Sequence, residues 1–318
     1  MLDRVLTLNP WIEVLVKWLY WKFAGLRTSL KPLLKKIRRT HINQLDGVQD
    51  FEELKKLLKE FDIKKDEILL VHSSFTDLHL DSVSPKQLLD FLIEEIVPDG
   101  TLVLPAMPIM KDIYGKISSF PGDPNSILVF DLRKSPPWTG LLPRKMMQYP
   151  GCIRWLNPLN NVIALGRHSS EMMAGNLFDK NLVEIYPSGV ESPWHYMVKN
   201  NAKILSLGTD MVHSLTMIHY VEDIKGLAWP IKNWYRKRKF IICNDGIKSE
   251  LILNERDPKW AINFAERTLR KDLLDAGILK SERFNGAKVE FLETDKVVNF
   301  LNKRNACGYP YFTLSKKK

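Results

Sequence analysis

The sequence has few cysteines, and it lacks the short motifs that identify several large enzyme classes. Its three cysteines form neither a CxxC pair nor a zinc-binding spacing, so we expect a reducing compartment. The motifs GxGxxG, GxxxxGK(S/T), HExxH and GxSxG are all absent. Their absence argues against dinucleotide-dependent dehydrogenases, P-loop NTPases, zinc metalloproteases and nucleophile-elbow hydrolases. The seven histidines do not cluster at metal-ligand spacings, and we expect no bound metal.

The net charge of +10 is concentrated at the two ends of the 318-residue chain. Residues 1–40 contribute +7 and the three C-terminal lysines contribute +3, so residues 41–315 are neutral overall. A nucleic-acid-binding domain would be expected to carry a basic face. We therefore expect no nucleic acid partner for the main body of the protein.

Residues 1–45 are predicted to form an aromatic and basic helical extension, followed by one enzyme domain at residues 46–318. Residues 11–26 are nearly all apolar, but this stretch is shorter than the roughly 20 residues that span a bilayer. Residues 27–39 then alternate basic and apolar side chains at helical spacing. This combination is typical of a peripheral membrane contact, here through residues 1–40. The alternative is a helix that packs on its own domain or on a second subunit, as in a homodimer. We expect a cytoplasmic protein, located at the inner membrane face if the first interpretation holds.

The main domain contains alternating signals for strands and helices. Amphipathic spacing predicts helices over residues 50–62, 85–97, 212–225 and 257–276. Ser84 and Pro85 are a typical start for the second of these helices. Apolar runs predict strands at residues 68–71, 101–105, 162–165, 202–207, 240–254 and 288–292. Residues 106–150 are expected to form long loops that wall a cleft.

One predicted helix carries a stripe of polar residues that could support acid–base chemistry. Thr216, His219 and Glu222 are spaced three apart, so they share one face of a helix. A carboxylate one turn from a histidine can fix its tautomer and stabilise the imidazolium form. The same stripe could be an ordinary polar surface, and the spacing alone does not identify a reaction.

Seven short segments occur along the chain in an order that is known from one enzyme family. They are ILLVHSSFT at 68–76, DGTLVLP at 99–105, FDLR at 130–133 with Gly140, RWLNP at 154–158, SPW at 192–194, AKILSLG at 202–208 and TMIHYVE at 216–222. Their order resembles the aminoglycoside 3-N-acetyltransferases, also called antibiotic N-acetyltransferases. The resemblance covers about residues 50–225 and does not extend to residues 226–318.

The resemblance implies transfer of an acetyl group from acetyl-CoA, the co-substrate, to an amine on a sugar-like acceptor. It also implies an α/β fold with three layers around a mixed central sheet. His219 matches the family's helix histidine and is the expected general base, Glu222 would hold the ring, and Thr216 would contact the oxyanion. The loop after the first strand is expected to bind CoA through Ser73, Ser74 and Thr76.

The sequence departs from the family pattern mainly where the acceptor is expected to bind. Asn157 stands where the family has histidine, Arg144 lies where an acidic residue is common, and His213 replaces an aspartate. We assign Asn157, Asp131 and Arg144 to acceptor binding. Fewer acidic groups favour a neutral or anionic acceptor over a polycation. An amino sugar in surface polysaccharide assembly is therefore predicted, with aminoglycoside resistance as the alternative.

Two readings from other functional classes stay open at this point. The departures at Asn157 and Arg144 are also compatible with a catalytically silent sugar-binding or scaffold protein. The N-terminal region is compatible with a membrane-tethered protein whose role is to bind a partner. Thiol release from acetyl-CoA that is lost in His219→Ala would separate an enzyme from both.

Overall fold

Two β-sheets form the framework of the protein in the computed structural model, which describes residues 5–23, 51–80, 83–97, 99–118, 123, 125–175, 177–178, 184–284 and 286–313. The strands are β1 Ile68–Ser73, β2 Thr101–Pro105, β3 Lys111–Asp112, β4 Leu128–Asp131, β5 Ile153–Arg154, β6 Val162–Gly166, β7 Lys203–Leu207, β8 Tyr235–Asn244, β9 Ile247–Arg256, β10 Lys280–Phe284 and β11 Ala287–Glu293. Seven of them form a central sheet in the order β10-β11-β7-β1-β2-β6-β5. The other four form a smaller sheet in the order β3-β4-β8-β9.

Helices cover both faces of the central sheet. The α-helices are α1 Pro10–Lys22, α2 Phe51–Glu60, α3 Pro85–Ile96, α4 Leu141–Met146, α5 Ser169–Met172, α6 Pro193–Lys199, α7 Met211–Ser214, α8 Tyr220–Asp223, α9 Glu266–Asp275 and α10 Thr294–Ala306. Short 3₁₀ helices lie at Phe75–Leu78, Thr216–His219, Gly226–Ala228 and Pro258–Asn263.

The strands of the central sheet are buried on both faces, as continuous apolar runs require. In β1, Leu69 and Val71 join an apolar cluster with α2, α3 and α4. Ile68 and Leu70 face the other way, into a cluster with α6, α10 and the small sheet. β1 pairs in parallel with β2 and β7, whereas β6 and β11 join antiparallel, so the sheet is mixed. The predicted α/β fold, with layers on both sides of a mixed central sheet, is confirmed.

The predicted strand–helix–strand unit is formed by β1, α3 and β2. Ser84 caps α3 in a capping box with Gln87, and Pro85 occupies the first helical position. β1 and β2 are parallel neighbours, with Ile68 paired to Thr101. This unit is confirmed to within one or two residues at each end, because its local signals agree with its packing.

Several segments differ from the prediction. Residues 106–150 contain β3, β4 and α4, which are too short to give a periodic signal. The extended structure predicted at 240–254 is present but is divided into two strands. β8 and β9 form a hairpin at Asp245-Gly246, whose φ angles of 48° and 85° suit a tight turn. The helix predicted at 257–276 begins as a 3₁₀ helix and becomes α-helical only at Glu266. β10 and α10 had no counterpart in the prediction.

The helix predicted at 212–225 is also wrong, because three short pieces replace it. α7 ends at Leu215, whose ψ of 84° is not helical. The Ser214 hydroxyl donates to the Asp210 carbonyl at 2.8 Å, which closes the first turn on itself. A 3₁₀ turn at Thr216–His219 and the single turn of α8 then follow.

Helix α1 packs on the C-terminal part of the main domain. The buried Glu13 carboxylate accepts hydrogen bonds from the Arg267 and Thr268 amides at 3.0 and 3.1 Å. The Lys17 ammonium donates to the Phe264 carbonyl at 2.6 Å. The predicted basic segment at 27–39 and the predicted boundary at residue 45 lie outside the described residues. No helix in the described part of the chain has both the length and the apolar character needed to cross a membrane.

Candidate active site

A cavity of about 410 Å³ opens at the carboxyl ends of the parallel strands. Its lining includes Ser73 at the end of β1, Pro105 at the end of β2 and residues 211–216 after β7. The chain leaves β1 toward β2 on one side, whereas β7 adds on the other side of β1. Ligands in open α/β sheets bind at such a switch point. The topology therefore places a ligand site at this edge of the sheet.

Gly208 allows the loops after β1 and β7 to approach each other closely. Its φ is +66°, and a Cβ atom there would lie 2.5 Å from the Ser74 carbonyl oxygen. The Ser74 amide donates to the Leu207 carbonyl at 2.9 Å. A glycine meets both conditions without strain, so the close approach of these two loops depends on this residue.

His219 lies in the cavity wall, with its side chain 18% exposed. In a 3₁₀ helix, residues i and i+3 eclipse, so Thr216 and His219 keep the shared face that the helical spacing predicted. Thr216 also lines the cavity. The Glu222 carboxylate lies behind the ring, with Oε1 at 3.4 Å from His219 Nδ1. An imidazole, a hydroxyl and a buried acid thus lie together at the cavity.

Glu222 is buried and held from its far side. The Trp234 indole N–H donates to Oε2 at 3.1 Å. The adjacent Asp223 accepts from the Tyr235 hydroxyl at 2.7 Å and from the Ser188 amide at 2.8 Å. Burial, together with the Glu222 carboxylate beside it, raises the pKa of Asp223 to about 7. These contacts fix the carboxylate that faces His219.

Arg256, the last residue of β9, also reaches His219. Its Nη1 donates to His219 Nδ1 at 2.5 Å and lies 3.8 Å from Glu222 Oε2. A guanidinium can only donate, so in this arrangement Nδ1 is an acceptor and the ring proton is on Nε2. Burial lowers the pKa of His219 below its ordinary value, and the Arg256 charge lowers it further, while Glu222 acts in the opposite direction. The imidazole is therefore neutral at physiological pH.

The predicted CoA-binding residues occupy different positions relative to the cavity. Ser73 lines it, whereas Ser74 and Thr76 are not part of its wall. The Ser74 hydroxyl donates to Asp77 at 2.6 Å, which closes the 3₁₀ turn that follows, and Thr76 is exposed. Of these three hydroxyls, Ser73 is therefore the one that a ligand in the cavity can reach.

The three residues assigned to acceptor binding lie outside the cavity lining. Asn157 is fully buried and accepts from the Leu159 amide at 2.9 Å. Asp131 accepts from the amides of the two following basic residues, at 3.0 and 2.9 Å. The exposed Arg144 donates to the Pro137 carbonyl at 2.8 Å. In this structure all three stabilise the loops next to the site, and their role toward an acceptor stays a prediction.

Several cavity residues were not predicted from the sequence. Arg256, Phe264 and Glu266 come from parts of the chain far from His219 and meet it only through the fold. His72 was visible at a strand end, and burial lowers the pKa of its imidazole to about 4. Its Nε2 atom is buried without a hydrogen-bond partner. The hairpin turn at Asp245-Gly246 fixes where β9 begins, but no sequence signal shows that its far end, Arg256, meets His219.

The cavity wall combines apolar surface with a few polar atoms. Met107, Trp138 and Pro143 supply apolar wall surface, and Ser73 supplies a hydroxyl at the strand end. His72, whose buried Nε2 atom has no hydrogen-bond partner, belongs to the same wall. An apolar wall with a few convergent polar atoms is typical of a small-molecule site.

The comparison with known protein families decides the identity of this fold. The sequence model of the family described as "Aminoglycoside 3-N-acetyltransferase" matches residues 70–305, about three quarters of the chain. This chain belongs to the aminoglycoside 3-N-acetyltransferase family. Membership confirms, at the level of the family, the predicted acyltransferase class and acetyl-CoA as its co-substrate. The match also extends the recognised region from residue 225 to residue 305.

Two curated members of the aminoglycoside 3-N-acetyltransferase family are similar to this chain. Aminoglycoside N(3)-acetyltransferase III of Pseudomonas aeruginosa is 25% identical over 196 residues, which cover 58% of this chain and 64% of that protein. Aminoglycoside N(3)-acetyltransferase IX of Micromonospora chalcea is 20% identical over 274 residues, which cover 81% of this chain and 94% of that protein. The first alignment thus spans slightly less than two thirds of its relative.

Several solved structures share the fold of this chain. The apoenzyme of AAC(3)-IVa has a TM-score of 0.65 at 19% identity, covering 86% of this chain and 95% of that one. AAC-IIIb in a binary complex with CoASH has a TM-score of 0.62 at 20% identity, covering 83% and 98%. The YokD protein from Bacillus subtilis has a TM-score of 0.66 at 18% identity, covering 85% and 98%. At these identities the likeness establishes the fold.

Proposed function

We propose that this protein is an acetyl-CoA-dependent N-acetyltransferase that acetylates an amino group of a sugar-type acceptor, with His219 as general base. The observation that carries the proposal is the position of His219 in the cavity wall, backed at 3.4 Å by the buried Glu222. The lowered pKa of the imidazole supports it, because a neutral ring can accept a proton. The family of the chain supports the same reaction.

The residues of the cavity account for each proton in a direct transfer. An alkylammonium cannot attack a thioester until it loses a proton, which His219 accepts. Glu222 then offsets the imidazolium charge. The amine nitrogen bonds to the thioester carbonyl carbon, and the hydroxyl of Thr216 donates to the oxyanion that develops. The carbon–sulfur bond breaks, and the imidazolium gives its proton to the departing thiolate. The neutral His219 then relays the second proton of the former ammonium to water, which gives an amide and free CoA thiol.

The names of the relatives and the charges of the cavity favour different acceptors. The curated relatives are named as aminoglycoside acetyltransferases, which favours an aminoglycoside as acceptor. Two carboxylates at or beside the described part of the cavity are already paired: Glu266 with Lys17, and Asp210 with Lys288. A polycation gains most from unpaired acidic groups. The pairing therefore favours a neutral or anionic amino sugar of the kind used in surface polysaccharides.

A thiol-release screen separates these acceptors. The purified protein is incubated with acetyl-CoA and either kanamycin-type aminoglycosides or nucleotide-linked amino sugars, and free CoA thiol is measured. We expect release with the amino sugars. Release with the aminoglycosides alone would overturn the polysaccharide assignment and establish aminoglycoside acetylation. If neither class gives release, the enzymatic proposal is wrong, and binding without turnover would favour a silent sugar-binding protein.

We also propose that helix α1 contacts an anionic membrane surface. Glu13 and Lys17 face the protein, and the third charged residue, Lys22, is exposed in the last turn. The outer face carries Trp11, Leu15 and Trp18 with exposed fractions of 58%, 56% and 44%. Exposed aromatic and aliphatic side chains on one helix face are typical of interfacial helices. The +7 charge of residues 1–40 complements anionic lipids.

Co-sedimentation with phosphatidylglycerol vesicles tests this contact. We expect binding by the full chain and its loss in Trp11→Ser/Trp18→Ser, which leaves Glu13 and Lys17 in place. Tyr114→Ser is the matched control, because Tyr114 is 89% exposed but lies outside α1. Unchanged binding in the double variant would overturn the proposal. If the wild type is a dimer that does not bind vesicles and the double variant is a monomer, the exposed face of α1 instead contacts a second subunit.

A further inference from the structure

Arg256 is a cation of the cavity wall without a close carboxylate partner in the described part of the protein. The nearest described carboxylate oxygen, Glu222 Oε2, is 3.8 Å from its Nη1 atom. Its close contact is the neutral nitrogen His219 Nδ1, at 2.5 Å. The side chain is 31% exposed, so a ligand can reach it. This guanidinium therefore has a long ion pair, with the buried Glu222, and its exposed part can bind an anionic group of a ligand.

The contact between Arg256 and His219 is incompatible with the working state of the base. A histidine that accepts a proton on Nε2 must carry its other proton on Nδ1 and donate it to an orienting carboxylate. Glu222 Oε1 is placed for that role, but Arg256 donates to the same Nδ1 atom. The guanidinium must therefore move off the ring before turnover, and it needs a new acceptor when it does.

We propose that Arg256 binds an acidic group of the amino-sugar acceptor, a carboxylate or a phosphate, and that this binding moves the guanidinium off His219. Nδ1 then carries the proton and donates to Glu222, while Nε2 faces the amine. The planar fork of arginine matches both kinds of acid in a bidentate pair. The inference rests on the proposed function, because it assigns the substrate class of the same site.

The geometry also indicates where this acid lies in the acceptor. Nδ1 and Nε2 belong to one imidazole ring, so the acid at Arg256 and the amine at Nε2 must be close neighbours. The phosphates of CoA are separated from its thioester by the full pantetheine chain, and they cannot lie beside the base while the thioester does. The acid therefore belongs to the same sugar unit as the amine or to a phosphate attached directly to it.

Specificity measurements on Arg256 variants test the proposal. Values of kcat/KM are measured for three acceptors: a neutral amino sugar, the corresponding amino uronic acid and the corresponding amino-sugar 1-phosphate. We expect the wild type to prefer at least one acid-bearing acceptor by about 10- to 100-fold, the effect of a hydrogen bond between charged groups. Arg256→Gln should reduce this preference to about one while still acetylating the neutral sugar. The acid that is preferred distinguishes a carboxylate from a phosphate.

Two controls separate this proposal from the proposed function. Arg283→Gln removes an exposed guanidinium of β10, outside the cavity lining, and should keep the preference. Arg256→Lys should keep part of it, because lysine retains the charge but not the fork. If the wild type acetylates the neutral sugar in a His219-dependent reaction but shows no preference for acid-bearing acceptors, the proposal for Arg256 is wrong and the proposed function stands. An equal loss with all three acceptors in Arg256→Gln would also overturn it, and no turnover with any acceptor would overturn both proposals.

Discussion

Three side chains decide the chemistry of the cavity at the scale of single residues. His219 lies between a carboxylate and a guanidinium, which compete for the same ring nitrogen. Glu222 favours the tautomer with the proton on Nδ1, which leaves Nε2 able to accept a proton. Arg256 favours the tautomer with the proton on Nε2. The sequence predicted the first pair through the spacing of His219 and Glu222. It could not predict Arg256, because that contact joins residues 37 positions apart and exists only in the folded protein.

Replacing Glu222 by glutamine tests the orienting carboxylate. The change keeps the shape of the side chain but removes the charge that stabilises the imidazolium form. We expect kcat to fall by about 100-fold or more, with a small change in KM, because Glu222 is 2% exposed and lies behind the cavity wall. Trp234→Phe, which removes the N–H donor to Oε2, is the control and should have a smaller effect. Equal activity in Glu222→Gln and the wild type would exclude the proposed dyad.

The pH dependence of kcat/KM reports the pKa of the base in the free enzyme. Activity requires the neutral imidazole, so it should rise as His219 loses its proton. Burial and the Arg256 charge lower the pKa of His219, and the acid limb should therefore lie below the ordinary histidine value of about 6.5. In Arg256→Gln the acid limb of the kcat/KM profile should move to higher pH, because the Arg256 charge no longer lowers the pKa of His219. A limb above pH 7 in the wild type would contradict this account.

At the scale of elements, prediction succeeded where local signals and packing agree. The apolar runs of β1, β2, β6 and β7 and the cap of α3 have no competing interpretation, and each lies close to its predicted position. Prediction of a single helix failed in residues 212–225. The polar residues there have helical spacing, but the backbone leaves the helical conformation at Leu215, after the Ser214 hydroxyl bonds to the Asp210 carbonyl. Thr216 and His219 still share a face, because a 3₁₀ turn aligns residues three apart. The predicted spacing of these two residues is therefore kept, although a 3₁₀ turn carries them in place of the predicted α-helix.

Glu13 supplies the N-terminal cap that α9 lacks in its own sequence. The N-cap residue is Ala265, which has no side-chain acceptor. Glu13 instead accepts from the amides of Arg267 and Thr268 and from the Thr268 hydroxyl at 3.2 Å. This contact explains why a charge interrupts the apolar run of α1. It also joins α1 to the segment that contributes Phe264 and Glu266 to the cavity.

Removing this cap should destabilise the protein. Glu13→Ala leaves two amides, of which that of Thr268 is buried, and a hydroxyl without their acceptor. We expect a loss of about 1–3 kcal/mol in the free energy of unfolding. Glu13→Gln keeps an acceptor oxygen and should lose less. Denaturant unfolding of the three proteins measures both values. A loss in Glu13→Ala below about 0.5 kcal/mol would mean that α1 does not cap α9.

At the scale of the whole molecule, the fold brings distant segments to one edge of a mixed sheet. His72, Thr139, His219 and Arg256 come from β1, a loop, a 3₁₀ turn and the end of β9, and all line the same cavity. The order of the seven short segments along the chain was enough to predict the family and the fold. The charge pattern of the cavity was not predictable, since pairs such as Lys17 with Glu266 join opposite ends of the chain.

The most direct test of the account is the activity of His219→Asn with acetyl-CoA and an acceptor that the wild type uses. Asparagine keeps a polar side chain of similar size but cannot take the proton of the amine. We expect CoA thiol release to fall by about 100- to 10,000-fold, with unfolding midpoints of the two proteins unchanged within error. Release within threefold of the wild-type rate would contradict the claim that His219 is the general base.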